Sequence, residues 1–371
     1  MMAAPSPFRP SSAAALVQCH GSARMQAPFP EVGDGQDARE GRAAHWALSE
    51  MLRGDIVAEG QLDPEGTMLT AEMIESAETC FDDIVRTVGP SGLACVVSEQ
   101  PVTLNRIYPG MWGTPDVRAT VTPRLRYVWD FKHGHRYVDP FENWQLLCYA
   151  LADEYADEDP QTVIVLKIVQ PRSFHRSGVV REWRLFSHQL EPYRRALAHA
   201  AARAMGPSPT LRTGPACGDC LARHVCPTLQ AEAYGAAEAS GQAVPVELTP
   251  SALGLELRNL WRAQERLNAR VSGLEAQAEA LQRQGVAVPF TVMQNGRGST
   301  VWTVPTDVVI ETGRLLGHDL AKPVAAITPK QAEAKGFPEA VLQAYARTVP
   351  GALKLCADDT TQARKVFGPQ P

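Results

Sequence analysis

The run Tyr127-Val128-Trp129-Asp130-Phe131-Lys132 is the first place in this chain where chemistry is legible. In a strand, alternate side chains share a face. Asp130 and Lys132 would then point the same way, with the Phe131 carbonyl between them, setting a hard oxygen ligand beside an ammonium group. Upstream, Gly113-Thr114-Pro115-Asp116 puts a second carboxylate at the start of another strand. Two carboxylates brought together by neighbouring strands can hold Mg²⁺ or Mn²⁺. Such an ion polarises a phosphate oxygen and acidifies water. Lys132 could orient that water or stabilise charge developing on the phosphate. An Asp-x-Lys triplet alone is a common surface feature, so its company matters. Gly41-Arg42-Ala43-Ala44-His45 sets a histidine on a long helical segment, and Gln145 and Tyr149 stand at i and i+4 on another.

The cysteines carry a second signal. Cys217-Gly218-Asp219-Cys220 followed by Cys226-Pro227 gives C-x2-C-x5-C. Three such thiolates form a ligand set that needs a fourth member. The candidates are His224, within the stretch, and Cys19, far upstream. A zinc ribbon gathers its ligands from two local knuckles, and the second knuckle is missing here. A distant cysteine joining a C-terminal trio points instead to an iron–sulfur cluster that staples the chain's ends together. Cys80, Cys95, Cys148 and Cys356 sit among apolar neighbours and read as small buried hydrophobes.

These residues need elements to position them. Asp37–Arg53 and Thr70–Thr87 read as helices, stopped by Gly54 and by Gly89-Pro90. Ala94–Val97, Asn105–Tyr108, Asp116–Val121 and Arg126–Phe131 read as strands separated by turn residues. Phe141–Asp153 returns to helix, Thr162–Gln170 and Val180–Phe186 are strands, and Ser187–Met205 is a helix. The order predicts an α/β sandwich with a mixed central sheet flanked by helices. Residues 1–10 read as a disordered leader, 11–235 as the main domain, 236–249 as a linker and 250–371 as a mainly helical extension. In that extension Thr249 and Pro250 can start a helix. Leu253, Leu257, Leu260, Leu267, Val271, Leu274, Ala278 and Leu281 form a heptad-like seam, with Gln264 in its one gap. That helix would be on the order of 50 Å long, packed on the protein's own body or on a partner. Pro289–Thr303 reads as a β-hairpin turning at Asn295-Gly296. Thr328-Pro329-Lys330-Gln331 reads as a capping-box helix start.

Composition limits the setting. No apolar run approaches the ~18 residues of a membrane helix, and no secretory signal is legible, so the expected location is the cytoplasm. Eight cysteines there argue against a disulfide framework. The net charge of −5 does not advertise nucleic-acid binding. Arg118, Arg124, Arg126, Lys132 and Arg136, with His133 and His135, could still form a local basic groove, and Arg136 is taken as a DNA contact. The alternative is a solvated strand pair.

Together, Gly41…His45, Asp116, Asp130-Phe131-Lys132, Gln145…Tyr149 and the one-plus-three cysteines resemble the RecB-like branch of the PD-(D/E)XK nucleases. More narrowly, they resemble its iron–sulfur members, the AddB nuclease domain and the CRISPR-associated adaptation exonucleases. The resemblance covers about Ser11 to Pro227. It implies a restriction-endonuclease-like core in which His45, Asp116, Asp130 and the Phe131 carbonyl hold Mg²⁺ or Mn²⁺ and Lys132 assists catalysis. It also implies that Gln145 and Tyr149 contact DNA, and that Cys19, Cys217, Cys220 and Cys226 hold a 4Fe-4S cluster. Glu99 matches a glutamate that precedes the first acidic motif in that family. Asp130 stands where many members have Glu, which shortens the carboxylate but keeps the ligand type. Over its full length the chain resembles a phage and prophage family of unknown function. The expectation is a DNA exonuclease of phage recombination or replication, with 5′–3′ polarity favoured by the resemblance alone. Its expected partners are DNA ends and a single-strand annealing recombinase. A catalytically idle DNA-end binder and a zinc-stapled phage structural protein are the rival readings.

Overall fold

In the computed structural model the chain divides into two units, Met1–Ala280 with Asp359–Pro371, and Leu281–Asp358. The structure describes residues 6–29, 35–173, 175, 177–239, 248–294, 306–315 and 361–367. The first unit opens with two short helices, α1 (Ala13–Gln18) and α2 (Ser22–Gln26). Two longer ones follow, α3 (Gln36–Arg53) and α4 (Ala71–Val88). Each of these two ends at a glycine with positive φ, Gly54 and Gly89, a conformation open to glycine without steric cost. Thr70 caps α4 by accepting from the Met73 N–H.

The strands are β1 (Val96–Ser98), β2 (Val102–Thr103), β3 (Trp112–Gly113), β4 (Val117–Thr122), β5 (Leu125–Phe131), β6 (Val163–Val169) and β7 (Val180–Phe186). Five form a mixed sheet in the order β1-β4-β5-β6-β7, while β2 and β3 pair separately. Only β5 and β6 run parallel within that sheet. Their crossover carries α5 (Trp144–Ala150), as parallel neighbours require. The run Val-Ile-Val-Leu-Lys-Ile-Val of β6 is buried along nearly all its length, which fits a central strand covered on both faces.

Helices cover both faces. On one, α3 and α4 bury Ala44, Leu48, Met73 and Ile84 against Trp129 and Phe131. On the other, α1, α5 and α6 (Glu191–Met205) bury Leu16, Leu146 and Leu197 against Val128, Ile164 and Leu166. The first face also encloses a charge pair. Lys167 Nζ lies 2.6 Å from Asp83 Oδ2, and both side chains are under a tenth exposed. Trp129 Nε1 donates to the same carboxylate oxygen at 2.9 Å, and Lys167 donates to Thr87 Oγ1. The mixed α/β architecture with a central mixed sheet therefore agrees with the sequence.

Several local expectations change. Asn105–Tyr108 is a turn, not a strand. The Asp153 carboxylate takes the Asn105 and Arg106 backbone N–H groups that a ladder would have used. Of the expected leader, residues 6–10 are described, and Phe8 among them is buried in the core. The helix expected over Phe141–Asp153 is only α5, whose start is set by the Asn143 side chain accepting from the Gln145 and Leu146 N–H groups. Helix α7 (Pro227–Ala239) runs into the expected linker. Helix α8 (Pro250–Arg283) forms where the seam was read. Its buried residues are Ala269 and Gly273, however, while Leu253, Leu260, Val271 and Leu274 are exposed. A Cβ on Gly273 would meet Arg223 Cγ at 2.6 Å, so small residues set the approach of this helix to the body. In the second unit, residues 289–294 are turn and coil. The rest of the expected hairpin and the capping-box start lie outside the described residues. Two more helices are described, α9 (Thr306–Leu315) and, belonging to the first unit, α10 (Thr361–Phe367). No described helix is long and apolar enough to cross a membrane.

Removing one partner of a buried ion pair strands the other charge. Lys167→Met is expected to destabilise the fold by about 3 kcal/mol, read as a lowered urea midpoint at unchanged slope.

Candidate metal centre and cysteine pocket

The predicted acidic residues meet at one end of the sheet. Asp130 is the penultimate residue of β5, and Asp116 directly precedes β4. The antiparallel register pairs Val117 with Trp129, which brings the two aspartates side by side. Asp116 Oδ2 accepts from the Phe131 N–H at 2.7 Å. Glu99 follows β1, and its N–H donates to the Asp116 carbonyl at 3.0 Å. It has φ of 51°, a region costly for a residue with a side chain. His45 arrives from α3, its Nδ1 3.4 Å from Asp116 Oδ1 and 3.9 Å from Glu99 Oε1.

His45, Glu99 and Asp116 offer ligand atoms all within 4.8 Å of one another, and no other such His, Cys, Asp or Glu group occurs among the described residues. Asp130 stands next to them with both oxygens accounted for differently. Its Oδ1 accepts from Lys132 Nζ and from Gln145 Nε2, each at 2.9 Å. Its Oδ2 is buried with no hydrogen-bond partner, although buried polar atoms are nearly always satisfied. Two carboxylates and an imidazole at close range, with a bare buried carboxylate oxygen beside them, fit a hard divalent cation.

The electrostatics follow from crowding charges out of water. Burial pushes the Asp130 carboxyl up to about 6, Asp116 adds to this, and Lys132 opposes it. Burial would also raise Asp116, but His45, Lys132 and the Phe131 N–H hold it below the usual carboxylate range. Burial disfavours the charged form of His45, yet the Asp116 carboxylate outweighs it and lifts the imidazole to about 10. Lys132 is likewise raised despite burial, by Asp130 first and then Asp116.

Other predicted contacts lie elsewhere. Tyr149 is 6% exposed, packed where a Cβ on Gly113 would touch its ring. It stands inside the core, not on the surface. The basic segment is neutralised from within. Arg118 pairs with Glu154, Arg124 with Asp159, Arg126 with Glu158, Lys132 with Asp130 and Arg136 with Asp219. The sequence reading missed Arg172, which lies beyond β6. Its Nη1 is 2.9 Å from His133 Nε2, and the guanidinium also faces Glu40 of α3 and Glu72 of α4. No spacing rule joins these residues, because they come from four separate elements.

The cysteines converge at a different place. Cys19, Cys217, Cys220 and Cys226 line one cavity of about 430 Å³, with Arg136 at its wall. Burial raises the thiols of Cys217 and Cys220, and their fellow thiols add to the effect. The Arg212 N–H donates to Cys19 Sγ at 3.4 Å. Gln18 and Gln26 carry the N-terminal segment to the cysteine loop by accepting from the Ala216 and Leu221 N–H groups, each at 3.0 Å. No three of these sulfurs lie within 4.8 Å of one another.

The high value at Asp130 has a consequence for stability. The folded protein holds this proton more tightly than the unfolded chain, whose ordinary value is 3.8. Its contribution is therefore most favourable below that value and is lost as pH rises through about 6. Asp130→Asn is expected to raise the melting temperature of metal-free protein at pH ~8, with little change at pH ~4. An unchanged or lowered melting temperature at the higher pH would contradict the buried-carboxyl account.

No curated protein matches the chain. A solved structure described as "Crystal structure of SSO0001" is 13% identical over 51% of this chain and 98% of that one. Its TM-score of 0.22 is too low to bear on the fold. A family model described as "Protein of unknown function (DUF2800)" matches residues 6–355. Spanning nearly the whole chain, that match makes this protein a member of the DUF2800 family.

Proposed function

We propose that this protein is a metal-dependent deoxyribonuclease of the PD-(D/E)XK type that acts at DNA ends and carries an iron–sulfur cluster at its four cysteines. The observation that carries the reading is the convergence of His45, Glu99, Asp116, Asp130 and Lys132 from three strand ends and a helix. A structural protein has no need to bury an unpartnered carboxylate oxygen beside an ammonium group and a second acid.

His45, Glu99 and Asp116 would hold the ion, with Asp130 at its side. A divalent cation there would act as a Lewis acid on the scissile phosphate. Lys132 stays charged between two carboxylates, so it can stabilise negative charge growing on the phosphate. Gln145 orients Asp130 through Oδ1 and leaves Oδ2 bare. Tyr149 supports Gln145 from within the core. Arg136, in its pair with Asp219, belongs to the wall of the cysteine cavity.

The cysteine cavity supports a cluster in two ways. It draws one early and three late thiols together, and it gives Cys19 an N–H donor of the kind that tunes cluster sulfurs. A single zinc ion with Zn–S bonds of ~2.3 Å would set its thiolates ~3.8 Å apart, whereas no three of these sulfurs lie within 4.8 Å of one another.

End-labelled linear DNA incubated with Mg²⁺ or Mn²⁺ is expected to be degraded by the wild-type protein. Lys132→Ala is expected to lower the rate at least ~100-fold, the usual scale for a lost charge-stabilising group. No cleavage of linear, single-stranded or circular DNA by cluster-loaded protein would defeat the reading. Anaerobically purified protein should be coloured and contain iron, and Cys220→Ala should lose the colour and unfold at lower temperature. A colourless, zinc-containing wild type would remove the iron–sulfur assignment.

A further inference from the structure

The last described helix, α10, belongs to the same unit as the candidate metal centre, although more than two hundred residues separate it from the loop it touches. Lys365 Nζ donates to both oxygens of Asp139, at 2.9 and 2.8 Å. Arg364 pairs with Glu142. Both cations lie over the Phe141 ring, 5.5 and 5.6 Å from its centroid.

The loop under this helix leads directly into α5. Asp139 also accepts from the Phe141 N–H at 2.9 Å and from the Tyr137 hydroxyl at 3.0 Å. Its carbonyl accepts from Asn143 Nδ2 at 3.2 Å. Asn143 Oδ1 in turn caps α5 by accepting from the Gln145 and Leu146 N–H groups, and the Gln145 side chain reaches Asp130. Glu142, between them, has φ of 52°. A non-glycine residue in that region persists where its surroundings hold it, and here Arg364 and Tyr193 both grip its carboxylate.

A continuous chain of contacts thus runs from Lys365 through Asp139, Asn143 and Gln145 to Asp130. We propose that Lys365 is a positioning residue, which straps the loop 139–143 in place and so fixes the start of α5 and the Gln145 side chain. Its relevance to catalysis rests on reading Asp130 as part of the metal site. Both members of the Lys365–Asp139 pair are about a quarter exposed, so the strap is held by charges that solvent can reach.

Hydrogen exchange of the full-length protein, followed by mass spectrometry over residues 139–150, tests the strap directly. Lys365→Ala should speed exchange at the Gln145 and Leu146 amides by about fivefold, the scale of one part-exposed ion pair. Strand β6 should be unaffected, and Lys365→Arg should restore the wild-type rate. A structural loss spread over the whole fold would move β6 as well and would not spare the Arg variant. Unchanged exchange at Gln145 and Leu146 in Lys365→Ala overturns the proposal. Mn²⁺ binding, measured by calorimetry on the same proteins, separates this result from the metal-site reading. Wild type that binds no Mn²⁺ counts against that reading alone, while weaker binding in Lys365→Ala, recovered in Lys365→Arg, ties the strap to the site.

Discussion

A carboxylate withdrawn from water governs the site end of this molecule. Asp130 is 1% exposed, yet only one of its oxygens is hydrogen-bonded. Such a group is costly unless something compensates it. Lys132 and Gln145 offset part of that cost, and the Phe131 N–H and His45 do the same for neighbouring Asp116. The compensating groups come from the end of β5, from α5 and from α3. The sheet register, the capping of α5 and the placement of α3 all become conditions for keeping the charges together.

The other face of the same strand shows how the fold handles buried charge when no ligand is called for. Asp83 and Lys167 meet at 2.6 Å, and Trp129 and Thr87 supply further hydrogen bonds. That cluster leaves neither atom of its closest pair bare. Across one strand, then, β5 carries a satisfied ionic cluster beside Trp129 and an unsatisfied one around Asp130. The contrast is the physical reason for treating Asp130, and not Asp83, as part of the candidate site.

Closure of the unit depends on contacts between distant parts of the chain. Residues near Cys19 are bound to the cysteine loop by glutamine-to-backbone hydrogen bonds, independently of any ligand at the thiols. Phe8 meets the Tyr108 ring edge-on at 5.6 Å, and Pro10 packs on strand β3, where a Cβ on Gly113 would strike its ring. At the other end of the chain, α10 returns to the loop before α5. Both chain ends thus brace the first unit, one at the cysteine cavity and one at the approach to Gln145.

The sequence by itself determined the strands and helices whose patterns are long and periodic. Thus β5, β6, α3, α4 and α8 stand close to where alternation, apolar spacing and end signals put them. Strand alternation placed Asp130 and Lys132 on one face, and the resemblance to the RecB-like nucleases, carried by the order of the motifs, singled out His45, Asp116 and Gln145 beside them. Only the tertiary structure could place Glu99 beside His45, since that contact depends on how β1 pairs with β4. It alone revealed that the arginines of the basic segment are neutralised by acids thirty or more residues away, and that Tyr149 faces inward. The turn at Asn105 and the late start of α5 were hidden for a related reason. In both, one side chain, Asp153 or Asn143, captures backbone N–H groups, a competition that local propensity does not encode. Local order follows from the periodicity of neighbouring residues, whereas the site's electrostatics arise from residues that meet only once the sheet has formed.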